Sequence, residues 1–228
     1  ITLADGTVQT YSDKPLQRLE KHIPMVDKAI NMSTLTSLVD YIKGNIDDMS
    51  KKMIIQVVDP EIVVLFSQLN EEREREELVV VNARIPDFRF DTYMDQENFC
   101  INLQSKFIDD PNTDRALILK FAGTMEAGTV AEYGDDGVTQ KATVKTGIAS
   151  KGEAIVPNPV KLRPYRTFLE VEQQASEFVF RVKQGKYDGI NCAIFEADGG
   201  AWKIAATKSI KDYLQFELAG WGQFTVIS

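Results

Sequence analysis

Two short stretches hold the residues best suited to chemistry. The first is Phe195-Glu196-Ala197-Asp198-Gly199-Gly200-Ala201-Trp202. Apolar residues up to Phe195 read as a strand and a helical pattern opens at Ala201, so the glycine pair marks the turn between them. Glu196 and Asp198 stand two apart on the strand end and share a face, as an acid/base pair or a divalent-cation site requires. The helix start behind them offers free backbone N–H groups. A plainer reading is a tight strand–helix connection, with Asp198 capping the helix and the glycines supplying positive φ. That reading is preferred, and Glu196, Asp198, Gly199 and Gly200 remain binding candidates.

The second stretch is Lys161-Leu162-Arg163-Pro164-Tyr165-Arg166-Thr167-Phe168, with Arg181, Lys183 and Lys186 following. Cations interleaved with aromatics suit a single-stranded nucleic acid, whose bases stack while its backbone is tracked. The same residues describe an extended segment with its rings turned inward and its arginines paired to Glu170, Glu172 or Glu177. Without a basic domain charge the structural reading is preferred. Arg163, Tyr165 and Arg166 are the binding candidates. Tyr133-Gly134-Asp135-Asp136-Gly137 reads as a turn, having too few oxygens for a calcium loop.

Much chemistry is missing. The single histidine, His22, has no nucleophile motif near it, so a Ser-His or Cys-His site is not indicated. Neither G-x-S-x-G, G-x-x-x-x-G-K-[ST] nor G-x-G-x-x-G occurs, so no nucleophile elbow or phosphate-cradling loop is expected. One histidine and two distant cysteines do not make a zinc site. No metal, cofactor or catalytic residue is assigned.

The chain of 228 residues carries a formal net charge of −8, all of it within residues 1–126, which hold 22 acids and 14 bases. An acidic surface repels phosphate, so nucleic acid is a disfavoured partner and a membrane surface is not expected. No apolar run approaches the roughly 18 residues of a membrane span. Cys100 and Cys192 have apolar neighbours and read as free buried thiols, which points to a reducing cytoplasm. No signal peptide is visible. The chain opens at Ile1 rather than Met, so an upstream segment is expected.

Ala4-Asp5-Gly6 between Ile1–Leu3 and Thr7–Tyr11 suggests a small hairpin or an extended lead-in. The spacing of Leu35, Leu38, Val39 and Ile42 predicts a helix from an N-cap at Ser33 to a left-handed stop at Gly44. Met53–Val58, Glu61–Phe66 and Leu78–Ile85 read as strands of an antiparallel meander, with the charged run 70–77 as a solvated loop. Asp95 caps a second helix whose Phe99, Leu103 and Phe107 recur every fourth residue. Ala116–Phe121 is apolar but ambiguous between helix and strand. From residue 127 the texture turns to β, with runs at 129–133, 138–146, 178–182 and 190–195. A last helix spans 201–219, and Phe224–Ile227 adds an edge strand. The order predicts an α+β fold: a meander with flanking helices, then a β-rich half and a C-terminal helix. A division into 1–126 and 127–228 is expected, or one continuous domain.

Three segments carry a family resemblance: Thr34-Leu35-x-x-Leu38-Val39-x-Tyr41-Ile42, Tyr93-Met94-Asp95-Gln96-Glu97-Asn98-Phe99, and Val156-Pro157 through Leu162-Arg163-Pro164-Tyr165-Arg166. In these the chain resembles the YfdQ-like family of uncharacterised bacteriophage and prophage proteins. The resemblance implies a phage-encoded protein of the bacterial cytoplasm and transfers no site residue. The expected function is that of an accessory protein that self-assembles as a homo-oligomer or binds a host or phage protein partner. Two alternatives stay open: a carboxylate or metal-dependent enzyme using Glu196 and Asp198, and a single-stranded nucleic-acid module using Arg163, Tyr165 and Arg166.

Overall fold

The computed structural model describes residues 3–4, 6–9, 25–47, 49, 51–130, 140–145, 151–185 and 189–228, with 126–130, 141, 143–145 and 151–154 described in backbone only. His22, Lys186 and the Tyr133–Gly137 turn lie outside the described residues. The Leu3 amide donates to the Thr7 carbonyl and the Gly6 amide to the Leu3 carbonyl, with Gly6 at φ +84°.

A five-stranded sheet is built on the meander β2 (Met53–Val57), β3 (Ile62–Phe66) and β4 (Glu77–Asn82). Strand β1 (Ile30–Met32) joins β4 in parallel on one edge, and β12 (Phe224–Ile227) joins β2 in parallel on the other. Side chains alternate along β2 and β12, so Met53, Ile55, Val57, Phe224 and Val226 turn to one covered face. Helices α1 (Leu35–Gly44) and α4 (Ala201–Glu217) cover it. Leu35, Leu38 and Ile42 meet Ile210 and Leu214 there, all fully buried.

Caps differ by one residue from the sequence reading. Thr34, not Ser33, is the N-cap of α1, because its hydroxyl accepts the Ser37 amide at 3.1 Å. Gly44 is the last helical residue and Asn45 takes the left-handed conformation at φ 45°. Asparagine tolerates that region through local side-chain bonding, and its Oδ1 accepts the Met49 amide.

A second sheet has the order β5 (Met94–Asp95), β11 (Ile190–Glu196), β10 (Ser176–Gln184), β9 (Val160–Leu162), all antiparallel. Helices α2 (Gln96–Lys106) and α3 (Arg115–Thr124) pack on it. Asp95 caps α2 by accepting the Asn98 amide, and the fourth-residue stripe Phe99, Leu103, Phe107 is buried against Phe178 and Phe180. The ambiguous run at 116–121 is helical in α3. A smaller sheet of β6 (Met125–Val130), β7 (Lys141–Lys145) and β8 (Lys151–Ile155) packs through β6 on β10 and β11.

The fold is α+β, as the element order predicts. Strand β12 completes the first sheet and β5 the second, so each sheet takes strands from both sides of residue 126. No helix among the described residues is long and apolar enough to cross a membrane. Cys192 is buried and Cys100 half-buried, both free; burial pushes both thiols above their ordinary value.

Candidate functional site

The segment after β9 leaves the second sheet and runs to the first. Tyr165 still pairs with the α2 end, its amide donating to the Lys106 carbonyl. Thr167 then donates its hydroxyl to the Pro60 carbonyl in the β2–β3 turn, and Phe168 and Val171 enter the core of the first sheet. Buried Gln173 holds this crossing in shape. Its Oε1 accepts the Arg166 and Thr167 amides at 2.8 and 3.2 Å, and its Nε2 donates to the Phe168 carbonyl at 2.9 Å. A buried amide satisfied this fully fixes one loop conformation.

Arg166 is the centre of the junction and only 5% exposed. Antiparallel pairing of β10 with β11 sets Phe178 opposite Glu196, which brings the start of β10 beside the end of β11. The guanidinium lies between them. Its Nη1 donates to Glu196 Oε1 at 2.8 Å, and its Nη2 donates to Ser176 Oγ at 2.6 Å and to the Gln174 carbonyl at 3.3 Å. It stacks 4.0 Å from the Trp202 ring, with Phe178 at 5.5 Å and Phe90 at 6.0 Å. Burial pulls this guanidinium below its ordinary value, while Glu196 and then Asp198 oppose that shift.

Trp202 sits in the first turn of α4, reached through Gly199 (φ +62°) and Gly200 (φ +80°). Only glycine adopts this left-handed pair cheaply. Gly200, not Asp198, is the N-cap residue of α4, and the Asp198 carboxylate two positions before it accepts the Gly200 amide at 2.9 Å and the Trp202 amide at 3.3 Å, tying down the helix start. Burial raises the Asp198 carboxyl, but bonds from Ser176, Gly200 and Trp202, with Arg166 nearby, outweigh it and hold the group below the usual carboxylate range.

The two stretches singled out in the sequence are therefore one place. Arg166, Tyr165, Glu196 and Asp198 with its glycines converge at the junction. Arg163 stands apart, paired to Asp110 at 3.2 Å and Glu172 at 3.5 Å. Both carboxylates already have structural partners, Glu196 in the ion pair and Asp198 at the start of α4. Among the described residues no group of three or more His, Cys, Asp or Glu side chains is placed to hold a metal ion.

Beside the ion pair a cleft of about 470 Å³ opens. One wall is the Asp59-Pro60-Glu61 turn, and another is the strap Ile85-Pro86-Asp87-Phe88 with Phe90. Tyr165, Arg166, Glu196, Trp202 and Lys203 close it. Phe88 and Phe90 are anchored edge-to-face, with ring centroids 4.7 Å apart, and Phe88 meets Phe107 at 4.9 Å. Glu61 is pushed above the usual carboxylate value by burial first and by Asp59 next, with Lys203 opposing. The sequence gives no sign of the Asp59–Glu61 and Phe88–Phe90 contributions, which come from loops with no helical or strand period. Compared with known proteins, the chain matches no family model, no curated protein and no solved structure.

Proposed function

We propose that this chain works by binding rather than catalysis, as a phage- or prophage-encoded accessory protein of the bacterial cytoplasm, and that the cleft at the sheet junction is its contact site. The observation behind this is a division of labour around Arg166. Glu196 and Asp198, the carboxylate pair read from the sequence, are held in an ion pair and at the start of α4, while the aromatic-walled cleft beside them stays open. The phage origin rests on the resemblance carried by Thr34–Ile42, Tyr93–Phe99 and Val156–Arg166. A nucleic acid fits the site poorly, since Arg163 and Arg166 are both engaged with acids and the cleft adds Asp59, Glu61 and Asp87.

Self-assembly is the second reading, and the edges of the five-stranded sheet favour it. Strands β1 and β12 end that sheet and expose Ile30 and Ile227, at 43% and 41%. Native mass spectrometry of the chain purified from a bacterial host tests both readings. A mass at an integer multiple of the chain, or the chain with a second protein, is expected. A bare monomer throughout the micromolar range overturns them.

A further inference from the structure

Resting on the binding role of the cleft, we infer that it accepts a basic side chain, arginine before lysine, presented on a peptide segment of a protein partner. The charge balance of the walls comes first. Arg166 and Glu196 neutralise each other at 2.8 Å. Among the described residues of the lining, that leaves Asp59, Glu61 and Asp87 with Lys203 as the one cation not so paired. The Lys106 ammonium is occupied on the Asp87 backbone carbonyl. The positive end of α4 also points here, and the Asp198 carboxylate sits on it. The cleft is left acidic.

Its shape narrows the occupant. Phe88, Phe90 and Tyr165 are half-buried rings beside those carboxylates. A planar guanidinium stacks on rings and forks onto carboxylates at once, which an ammonium does not do. The wall itself uses this chemistry, with Arg166 over Trp202 and bonded to Glu196. Trp202, 8% exposed, carries an indole N–H with no acceptor among the described residues. Lys203 is the built-in competitor, exposed and with its ammonium 5.9 Å from the Trp202 ring.

The test is a titration of the full chain with blocked acetyl-Gly-Arg-Arg-Gly-amide, read at the indole N–H resonances of Trp202 and Trp221. The Trp202 signal is expected to move and the Trp221 signal to stay, with the matching Lys peptide weaker. Asp59→Asn with Glu61→Gln, shapes retained, should weaken binding about tenfold, two charge pairs' worth. Glu72→Gln with Asp212→Asn, equal in charge but distant, should change it less than about twofold. Lys203→Gln should tighten it. A Trp202 signal indifferent to the Arg peptide overturns the inference, as does equal weakening by the two double variants. If acetyl-Trp-amide or acetyl-Gly-Glu-Glu-Gly-amide moves Trp202 and the Arg peptide does not, the cationic occupant is wrong and the binding role of the cleft survives.

Discussion

Removing Arg166 should cost more than its ion pair suggests. Three kinds of contact are lost in Arg166→Ala. The bond to Ser176 Oγ joins two groups each 5% exposed, and the Gln174 carbonyl loses a donor as well. Charged hydrogen bonds of this kind contribute about 1.5–3 kcal/mol. Stacking on Trp202 at 4.0 Å adds about 0.5–2 kcal/mol. The Glu196 side, with its side chain 31% exposed, regains water when unpaired and behaves nearer a surface pair, about 0–1 kcal/mol. Relief of the guanidinium's own desolvation offsets part of this. The expected loss is about 3–5 kcal/mol, and about 1–3 kcal/mol for Arg166→Met, which keeps the packing. Urea unfolding followed by tryptophan fluorescence measures it, with the m-value unchanged. In double-mutant cycles the coupling of Arg166 to Ser176 should exceed its coupling to Glu196, because burial rather than formal charge decides. A loss under about 1 kcal/mol, or Glu196 coupling more strongly than Ser176, refutes the reasoning.

Gly200→Ala should destabilise the protein by about 1–2 kcal/mol, since φ +80° strains any residue with a Cβ, and thermal melting checks this. Asp198→Ala should cost about 1 kcal/mol and Asp198→Asn clearly less, because the amide oxygen still accepts at the start of α4. Asp198 and Asp95 are both held below the usual carboxylate range, Asp95 chiefly by the Asn98 amide. Their stabilisation is full above the unfolded carboxylate value and lost as pH falls through the lower folded values, so a pH series of urea midpoints should decline below about pH 4. Glu61 is raised instead, so Glu61→Gln should hold or raise the melting temperature at pH 7. Cys192 should react with a thiol reagent only on unfolding, and Cys100 slowly in the native state.

What could be read from the sequence was local. The stripe Phe99, Leu103, Phe107 and the last helix's stripe Trp202, Ala206, Ile210, Tyr213, Leu214 mark the buried helix faces, Tyr213 being only half-buried. The turn at Asp198–Gly200 was legible because glycine pairs and Asx turns act within a few residues. Strands β1 and β5, three and two residues long, are too short to show a period, and their pairings depend on partners 49 residues away for β1 and 96 and 98 residues away for β5. The contact of Arg166 with Glu196 spans 30 residues and exists only because β10 and β11 pair in one register. Thr34 and Ser33 compete for the same cap, and only the backbone geometry decides between them. The acidic wall of the cleft comes from a β-turn and a strap, where nothing in residue spacing marks which side chains will face each other.

The binding role of the cleft is tested most directly in the bacterial cell. A photo-crosslinking benzoyl-phenylalanine is placed at Tyr165, which lines the cleft, and separately at Ile101, which is 54% exposed on α2. A discrete adduct is expected from position 165 and not from 101, lost on Asp59→Asn with Glu61→Gln, its mass naming a partner protein or a second copy. No adduct at 165, or equal adducts at both positions, would contradict a binding role for the cleft.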